Sequence, residues 1–188
     1  MSETSPAPKT PKLRARAIGE WAAIVVAAIL VSLLVRTFVF QTYYVPSPSM
    51  VPTLQDGDRI IVDKLSVDFG TINIGDIVVF KAPKKVAKVC GDDVADLVKR
   101  VIGLPGDTLT SKGNTIYVNG KALKENWPHT EPLGGAIGTV HVQAGHYFMM
   151  GDNHSPSCDS RMWGTVPRSS IIGKVFVRIW PLSRIGWF

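Results

Sequence analysis

The sequence predicts a mainly β fold: an antiparallel β-sheet domain preceded by one N-terminal transmembrane helix. The stretch from Trp21 to Phe40 carries a single charge, Arg36, near its end. About 20 apolar residues suffice to cross a bilayer as a helix. After Tyr44, short runs rich in β-branched and aromatic residues alternate with turn signals, and no long amphipathic helix is indicated. The 188 residues therefore divide into one helix and one domain of about 140 residues.

The N-terminal part is predicted to anchor the chain in the cell membrane. Residues 1–17 are rich in Pro, Ser, Thr, Lys and Arg, which is typical of a disordered basic tail. Residues 18–40 form the predicted anchor, and the preceding positive charge places the N-terminus in the cytoplasm and residues 41–188 outside. A cleaved signal peptide shares this pattern, but bulky aromatic residues stand where a small-x-small cleavage site is needed. A buried core helix is a third interpretation, although such helices carry polar residues on one face.

The sequence pattern of the second part is typical of an antiparallel β domain without repeats. Asn119-Gly120, between TIYV and KALK, predicts a two-residue hairpin. Residues 81–95 and 124–139 are predicted to be loops. The predicted strands are Arg59–Lys64, Gly75–Phe80, Asp96–Leu104, Thr115–Val118, Val140–Val142, His146–Met150 and Lys174–Trp180.

Charge and cysteine content exclude several classes of protein. The net charge of +6 would permit a nucleic acid or an anionic lipid surface as partner. Five basic and two acidic residues precede Phe40, a balance of +3, so half of the excess lies in or beside the anchor and no nucleic acid is predicted. Two cysteines exclude a four-cysteine zinc site. The four histidines show no zinc spacing to Cys90 or Cys158, so no metal is predicted.

A stiff serine-containing segment, PSPSMVPTL, follows the apolar stretch at residues 46–54. Its three prolines fix φ and restrict the residues before them, so it cannot form a central strand. One interpretation is a juxtamembrane linker. The other is a nucleophilic serine on a rigid loop, which needs a base because a hydroxyl is a poor nucleophile.

Lys99 is a candidate for that base because it interrupts an apolar strand pattern, DLVKRVIGLPGD. By period-2 alternation it shares a face with Leu97, Val101 and Gly103, whereas Arg100 faces the other way. Burial disfavours a charged amine and so favours the neutral form that acts as a base. A strand lysine that snorkels to solvent remains the alternative.

A dense polar loop, GDNHSPSCDSRMWG, follows a predicted strand at residues 151–164. One interpretation is an Asx-rich turn held by pairing of Asp159 with Arg161. The other is a loop whose hydroxyl orients a catalytic base.

Together, these segments resemble the type I signal peptidase family of membrane-anchored Ser/Lys endopeptidases. PSPSMVPTL is similar to its nucleophile motif, GDRIIVDKL to the strand that follows, LVKRVIGLPGD to the lysine motif and GDNHSPSCDSRMWG to the last motif. The resemblance covers roughly residues 36–188 and includes the preceding anchor. It implies a signal-peptidase-type β-sheet catalytic domain.

The resemblance also implies roles for individual residues. Ser49 matches the nucleophile and Lys99 the general base, while the Ser47 hydroxyl joins the Ser49 backbone N–H in the oxyanion hole. Ser157 matches the serine that orients the lysine, and Ser155 is the second candidate because the surrounding residues depart from the commonest family pattern. The matched structural positions beside the site are Asp159, Arg161, Gly151 and Asn153.

The implied activity is removal of N-terminal signal peptides from secretory preproteins after an Ala-x-Ala-like motif, by a monomer without a cofactor. Met50 and Ile60 are candidates for the pockets that receive the small side chains. A self-cleaving SOS-type repressor also uses a Ser/Lys dyad, but it has no membrane anchor. A non-enzymatic, membrane-tethered β module would make the serines and Lys99 incidental.

Two further hypotheses concern the cysteines and the C-terminus. If Ser157 and Lys99 meet, Cys158 and Cys90 come near each other outside the cytoplasm, where a disulfide can persist; two free thiols are the alternative. The C-terminal residues Ile185, Trp187 and Phe188 are expected to contact membrane lipid, since their composition suits the bilayer interface. Closure of the β core is the alternative, above all for Trp180.

Overall fold

The computed structural model describes residues 11–91 and 93–188. Contacts divide the chain into two compact units, one ending at Val39 and the other spanning Phe40–Phe188. The first unit contains helix α1, Pro11–Phe38, which includes most of the predicted 18–40 helix and starts within the predicted tail. Residues 1–10 of that tail lie outside the described residues. Within the described ranges, no helix combines the length and apolarity needed to cross a membrane.

The second unit is mainly antiparallel β, as predicted. Three short helices accompany its strands: α2 (Leu65–Asp68), α3 (Lys85–Cys90) and α4 (Ser160–Trp163). The strands are β1 (Phe40–Tyr44), β2 (Arg59–Asp63), β3 (Ile77–Lys81), β4 (Asp96–Gly103), β5 (Thr108–Lys112), β6 (Thr115–Val118), β7 (Lys121–Ala122), β8 (Val140–His141), β9 (His146–Met150), β10 (Val166–Pro167), β11 (Ile171–Trp180) and β12 (Gly186–Trp187).

The strands form two sheets. The 8-stranded sheet has the order β1-β2-β11-β3-β4-β9-β10, with β12 paired to β11, and the 4-stranded sheet has the order β7-β6-β5-β8. Strand β4 lies between β3 and β9, pairing Lys99 with Val78 and Arg100 with Met150. This position places the candidate base in the interior of the larger sheet.

Several sequence predictions match the observed elements. Strands β6 and β9 have the predicted bounds. The Asn119-Gly120 hairpin is confirmed, because Val118 pairs with Lys121 across it. The φ values of Asn119 and Gly120, 51° and 77°, are those of the type I′ turn that suits a twisted hairpin.

Other elements were missed. Helix α3 occupies part of the predicted loop 81–95. It was not predicted because KVAKVC buries only Val86 and is too short to show an amphipathic period. Strand β5 was missed because its residues, TLTSK, bury only Leu109. Strand β1 was missed because its aromatic residues continue the apolar stretch before it.

The core surrounds β4 on both faces. Val101 packs with Val78 and Phe80, while Val98 packs against Ile77 on the other face. Lys99 and Arg100, at 3% and 6% exposure, are therefore both inside the protein. Burial of a charged group without partners is costly, so both side chains need polar contacts.

Candidate active site

The serine loop is held in a short 3₁₀ turn, Pro48–Met50. Ser47 caps this turn, its Oγ accepting a hydrogen bond from the Ser49 N–H at 3.3 Å. Met50 is fully buried, while Ser49 retains 8% exposure. The fixed φ of Pro48 and the buried Met50 hold Ser49 in one position beside the cleft.

The Lys99 Nζ lies 2.5 Å from the Ser49 Oγ. Strand β4 carries Lys99 to the serine loop, and both groups lie at the bottom of the same cleft. An amine at hydrogen-bond distance from a serine hydroxyl can accept its proton when the amine is neutral. The two residues that the sequence proposed as nucleophile and base are thus in contact.

The loop after β9 holds the serine loop from the other side. The Asn153 N–H donates to the Ser49 carbonyl at 3.1 Å, and its Nδ2 donates to the Pro48 carbonyl at 3.1 Å. Gly151 lies so close that an added Cβ would overlap both the Ser49 carbonyl oxygen and the Ser157 Oγ. The two matched loop residues, Gly151 and Asn153, therefore sit directly against the backbone of the nucleophile.

The two candidates for the lysine-orienting hydroxyl occupy different environments. Ser155 is exposed, whereas Ser157 is 5% exposed and lies beside Gly151. Within the described part of the chain, the Ser157 Oγ is buried without a hydrogen-bond partner. The orienting bond to Lys99 is not formed in this arrangement, and the role of Ser157 stays a prediction.

Asp159 and Arg161 form an ion pair beneath the loop. Arg161 donates to Asp159 through Nε at 2.8 Å and Nη2 at 2.7 Å, and the Gly151 N–H donates to the same carboxylate at 3.2 Å. Arg161 also donates to the carbonyls of Leu133 and His154. The pair thereby fixes the loop that carries Ser157. The structural role that the resemblance implies for the two residues stays a prediction.

A second buried ion pair was missed by the sequence reasoning. Arg100 donates to Asp152 through Nε at 2.7 Å and Nη2 at 2.6 Å, and Thr53 Oγ1 donates to the same carboxylate at 2.5 Å. Trp127 covers the guanidinium, with its ring centroid 4.9 Å away. The network ties together β4, the last motif and the segment after Ser49. In the sequence, the only sign of this ion pair is that Arg100 is next to Lys99 and Asp152 is next to Asn153.

Cys90 and Cys158 are joined in a disulfide, as hypothesised, with 6.1 Å between their Cα atoms. The bond ties the end of α3 to the residue after Ser157. Val86 of α3 and Cys158 both line the cleft. The disulfide therefore holds one wall of the cleft against the last motif.

The cleft beside Ser49 and Lys99 has a volume of about 130 Å³ and a largely apolar wall. Ile60 lines it, whereas Met50 packs in the core cluster that also contains Ile60. The assignment of either residue to a substrate pocket stays a prediction. Burial, followed by the nearby charge of Asp96, raises the pKa of the Tyr43 hydroxyl on the rim. Further apolar side chains of the wall include Val79, Val86, Val94, Leu97, Val98 and Pro156.

Comparison with known proteins identifies the family of the chain. The family described as signal peptidase, peptidase S26, matches residues 18–180. The chain belongs to this family. Signal peptidase I of Leptolyngbya laminosa is 38% identical over 191 residues, covering 97% of this chain and 93% of the relative. Probable signal peptidase I-2 of Synechocystis sp. is 42% identical over 161 residues, with coverages of 86% and 72%.

One similar solved structure is a signal peptidase I from Enterococcus faecalis. It matches 55% of this chain and 96% of its own, with 30% identity and a TM-score of 0.45. Membership of the family confirms the resemblance inferred from the motifs, the enzyme class and the predicted activity. The chain is a serine endopeptidase of the signal peptidase type. The roles of Ser47, Ser49, Lys99 and Ser157 remain predictions from the motifs and the geometry.

Proposed function

We propose that the chain cleaves secretory preproteins with Ser49 as the nucleophile and Lys99 as the general base. The observation that carries this assignment is the 2.5 Å distance between the Lys99 Nζ and the Ser49 Oγ. Both groups open onto one cleft, which gives a peptide access to them. A serine needs a neighbouring base to become a nucleophile, and Lys99 is the base within reach.

The chemistry follows from these two groups. Neutral Lys99 takes the hydroxyl proton as the Ser49 Oγ attacks the scissile carbonyl, and an acyl-enzyme forms when the amine of the mature protein leaves with that proton. Water then attacks the ester, again losing its proton to Lys99. The free signal peptide carries the new carboxylate, and Ser49 regains its proton.

The Ser49 N–H and the Ser47 hydroxyl are the proposed oxyanion donors. They are 3.3 Å apart, the N–H donating to the Ser47 Oγ. Rotation of the exposed Ser47 hydroxyl would let both groups donate to one substrate oxygen. Each preorganised donor of this kind contributes about 3 kcal/mol where it has been measured.

The proposed substrate has small side chains at the first and third positions before the cut. The cleft volume of about 130 Å³ and its apolar wall support this choice. A pocket of limited volume selects small residues by clashing with larger ones. The wall residue Ile60 is well placed to set that limit.

We further propose that residues 18–40 anchor a monomeric enzyme in the cell membrane, with the N-terminus in the cytoplasm and the catalytic unit outside. Helix α1 runs through most of this segment. The C-terminal run supports lipid contact, since Ile185, Trp187 and Phe188 are 56%, 74% and 46% exposed. Trp180 is half exposed as well. Exposed aromatic clusters of this kind suit a membrane interface.

The deciding experiment is cleavage of a purified preprotein by the full chain in detergent or lipid. The parent should release the mature protein, and Ser49→Ala should not. Ser169→Ala, an exposed serine far along the chain, serves as the matched control and should cleave normally. Equal cleavage by the parent and Ser49→Ala would overturn the assignment. No cleavage by any of the three would favour the non-enzymatic alternative.

A further inference from the structure

A second cavity is lined in part by Pro52 and Thr53, which follow the serine loop. Its volume is about 820 Å³, and it shares no lining residue with the cleft. Residues of β11 and of the C-terminal run contribute to its wall, which contains both basic and aromatic side chains.

The excess charge of this cavity resides on two arginines. Arg178 and Arg184 share one buried carboxylate, Asp58, with Nη1 atoms 3.6 Å and 2.9 Å from it. One carboxylate cannot neutralise two guanidinium groups. Burial lowers the pKa of Arg178, and repulsion by the nearby Arg184 charge lowers it further. An anion bound between them would relieve that repulsion.

The other cations of the wall are already neutralised. Lys174 pairs with Asp76 at 2.8 Å, and Arg100 pairs with Asp152 at 2.6 Å. Among the described side chains of the wall and their partners, one positive charge therefore remains, at the arginine pair.

The arginine pair also retains donors for a ligand. Arg178 uses Nε for the Arg184 carbonyl and Nη1 for the Thr53 carbonyl, each at 2.5 Å. Arg184 uses Nη1 for Asp58. No described hydrogen bond uses the Nη2 of either side chain. Guanidinium groups with free N–H donors suit the oxygens of a phosphate group.

An aromatic residue of the cavity wall, Phe176, lies beside Phe40, the residue at which the proposed anchor ends. The rings of Phe40 and Phe176 have centroids 5.2 Å apart, and those of Phe176 and Trp187 lie 5.9 Å apart. Trp187 and Phe188 line the cavity and are largely exposed. Two residues of the cavity wall, Phe176 and Trp187, thus lie near Phe40, the residue at which the proposed anchor ends. The lipid surface is therefore the nearest source of phosphate.

We propose that this cavity binds the phosphate headgroup of an anionic phospholipid between Arg178 and Arg184, with the acyl chains along Trp187 and Phe188. The proposal rests on the membrane anchoring proposed above. Basic pockets near a membrane surface bind anionic headgroups, and interfacial aromatic residues accompany them. Because Arg178 also binds the Thr53 carbonyl, a bound headgroup would stabilise the segment that follows Ser49.

The test is lipid binding by the full chain in a neutral detergent, measured by native mass spectrometry. Phosphatidylglycerol, phosphatidylcholine with the same acyl chains and inorganic phosphate are titrated separately. The parent should bind phosphatidylglycerol more tightly than either of the others. Arg184→Gln combined with Lys174→Gln should weaken that binding roughly tenfold or more, since two charges near the surface are lost.

The matched control removes the same charge elsewhere. Lys112→Gln with Lys121→Gln, two exposed lysines of the 4-stranded sheet, should bind phosphatidylglycerol like the parent. The single variant Arg184→Gln provides a milder test if the double variant melts at a lower temperature than the parent. Unchanged binding by a correctly folded variant would overturn the proposal.

Two further outcomes would overturn it as well. Equal binding of phosphatidylcholine would show that aromatic contacts alone hold the lipid. Equal binding of inorganic phosphate would show a site for free anions. Ser49→Ala separates this proposal from the catalytic one, because it should still bind phosphatidylglycerol whether or not the parent cleaves a preprotein.

Discussion

Lys99 Nζ and Ser49 Oγ lie 2.5 Å apart although 50 residues separate them in the chain. Strand β4 carries Lys99 through the core, while the 3₁₀ turn at Pro48–Met50 presents Ser49 at the cleft. Neither segment is reactive by itself, since a nucleophilic serine needs its base at hydrogen-bond distance. The contact between them supplies the proposed chemistry.

Lys99→Arg is expected to abolish cleavage, by at least about 10²-fold, because a guanidinium does not give up its proton and cannot act as the base. The measurement is the initial rate on a preprotein in detergent. Lys81→Arg, at an exposed position on the neighbouring strand β3, is the control and should retain the parent rate. An arginine variant with normal turnover would refute the Ser/Lys assignment.

Ser157→Ala is expected to lower the rate by up to about 10²-fold, the lower end of what positioned proton transfer contributes. Its Oγ is buried beside Gly151 without a hydrogen-bond partner, and the predicted role requires it to meet Lys99 when substrate binds. Ser155→Ala removes an exposed hydroxyl and should leave the rate unchanged. The pH dependence of the rate distinguishes the mechanisms, since loss of lysine orientation alters the profile and a packing defect does not. A larger loss of cleavage rate for Ser155→Ala than for Ser157→Ala would assign the lysine-orienting role to Ser155.

Gly151→Ala is expected to reduce both activity and stability. The added methyl group overlaps the Ser49 carbonyl and the Ser157 Oγ, and overpacking of this kind costs roughly 1–3 kcal/mol. Gly138→Ala is the matched control, because nothing lies within 4 Å of its added Cβ. Urea unfolding and the cleavage rate are measured for both variants. A fully active Gly151→Ala enzyme would show that the serine loop tolerates displacement.

Asp152→Asn is expected to destabilise the protein strongly. It leaves the Arg100 guanidinium, 7% exposed, without its carboxylate, and breaking a buried pair costs roughly 3–5 kcal/mol. Lys174→Gln breaks a pair whose side chains are 24% and 21% exposed, which should cost no more than about 1 kcal/mol. The comparison uses the free energy of unfolding in urea. Similar losses for the two variants would show that the Arg100 pair is no stronger than a surface pair.

The Cys90–Cys158 disulfide is expected to appear in intact-mass measurements as a gain of two hydrogens on reduction. It closes a loop of 68 residues, so its removal by a double Cys→Ser substitution should cost about 2–4 kcal/mol of unfolding free energy. Because Cys158 and Val86 line the cleft, the cleavage rate should fall as well. An unchanged mass on reduction would mean that both thiols are free.

Local features of the molecule were predictable because they depend on neighbouring residues. Alternation and turn chemistry predict the mainly β character of the domain. They also predict the strands at Thr115–Val118 and His146–Met150 and the Asn119-Gly120 hairpin. The candidates Ser49 and Lys99 followed from a stiff proline-rich segment, a lysine in an apolar strand and the family resemblance. Weak local patterns, such as the polar β5 and the short α3, stayed undetected because tertiary packing stabilises them.

Alternation predicts which residues share a strand face, but it does not say which strands become neighbours. The order β3-β4-β9 is decided by packing of the whole domain. That order buries both faces of β4, which is why Arg100 is inside and pairs with Asp152 rather than reaching solvent. The 2.5 Å contact of Lys99 with Ser49 depends on the same packing, since the geometry of a catalytic pair depends on distances between segments far apart in the chain. The sequence by itself determined the residue types and their local backbone, and only the tertiary structure decided which of them meet.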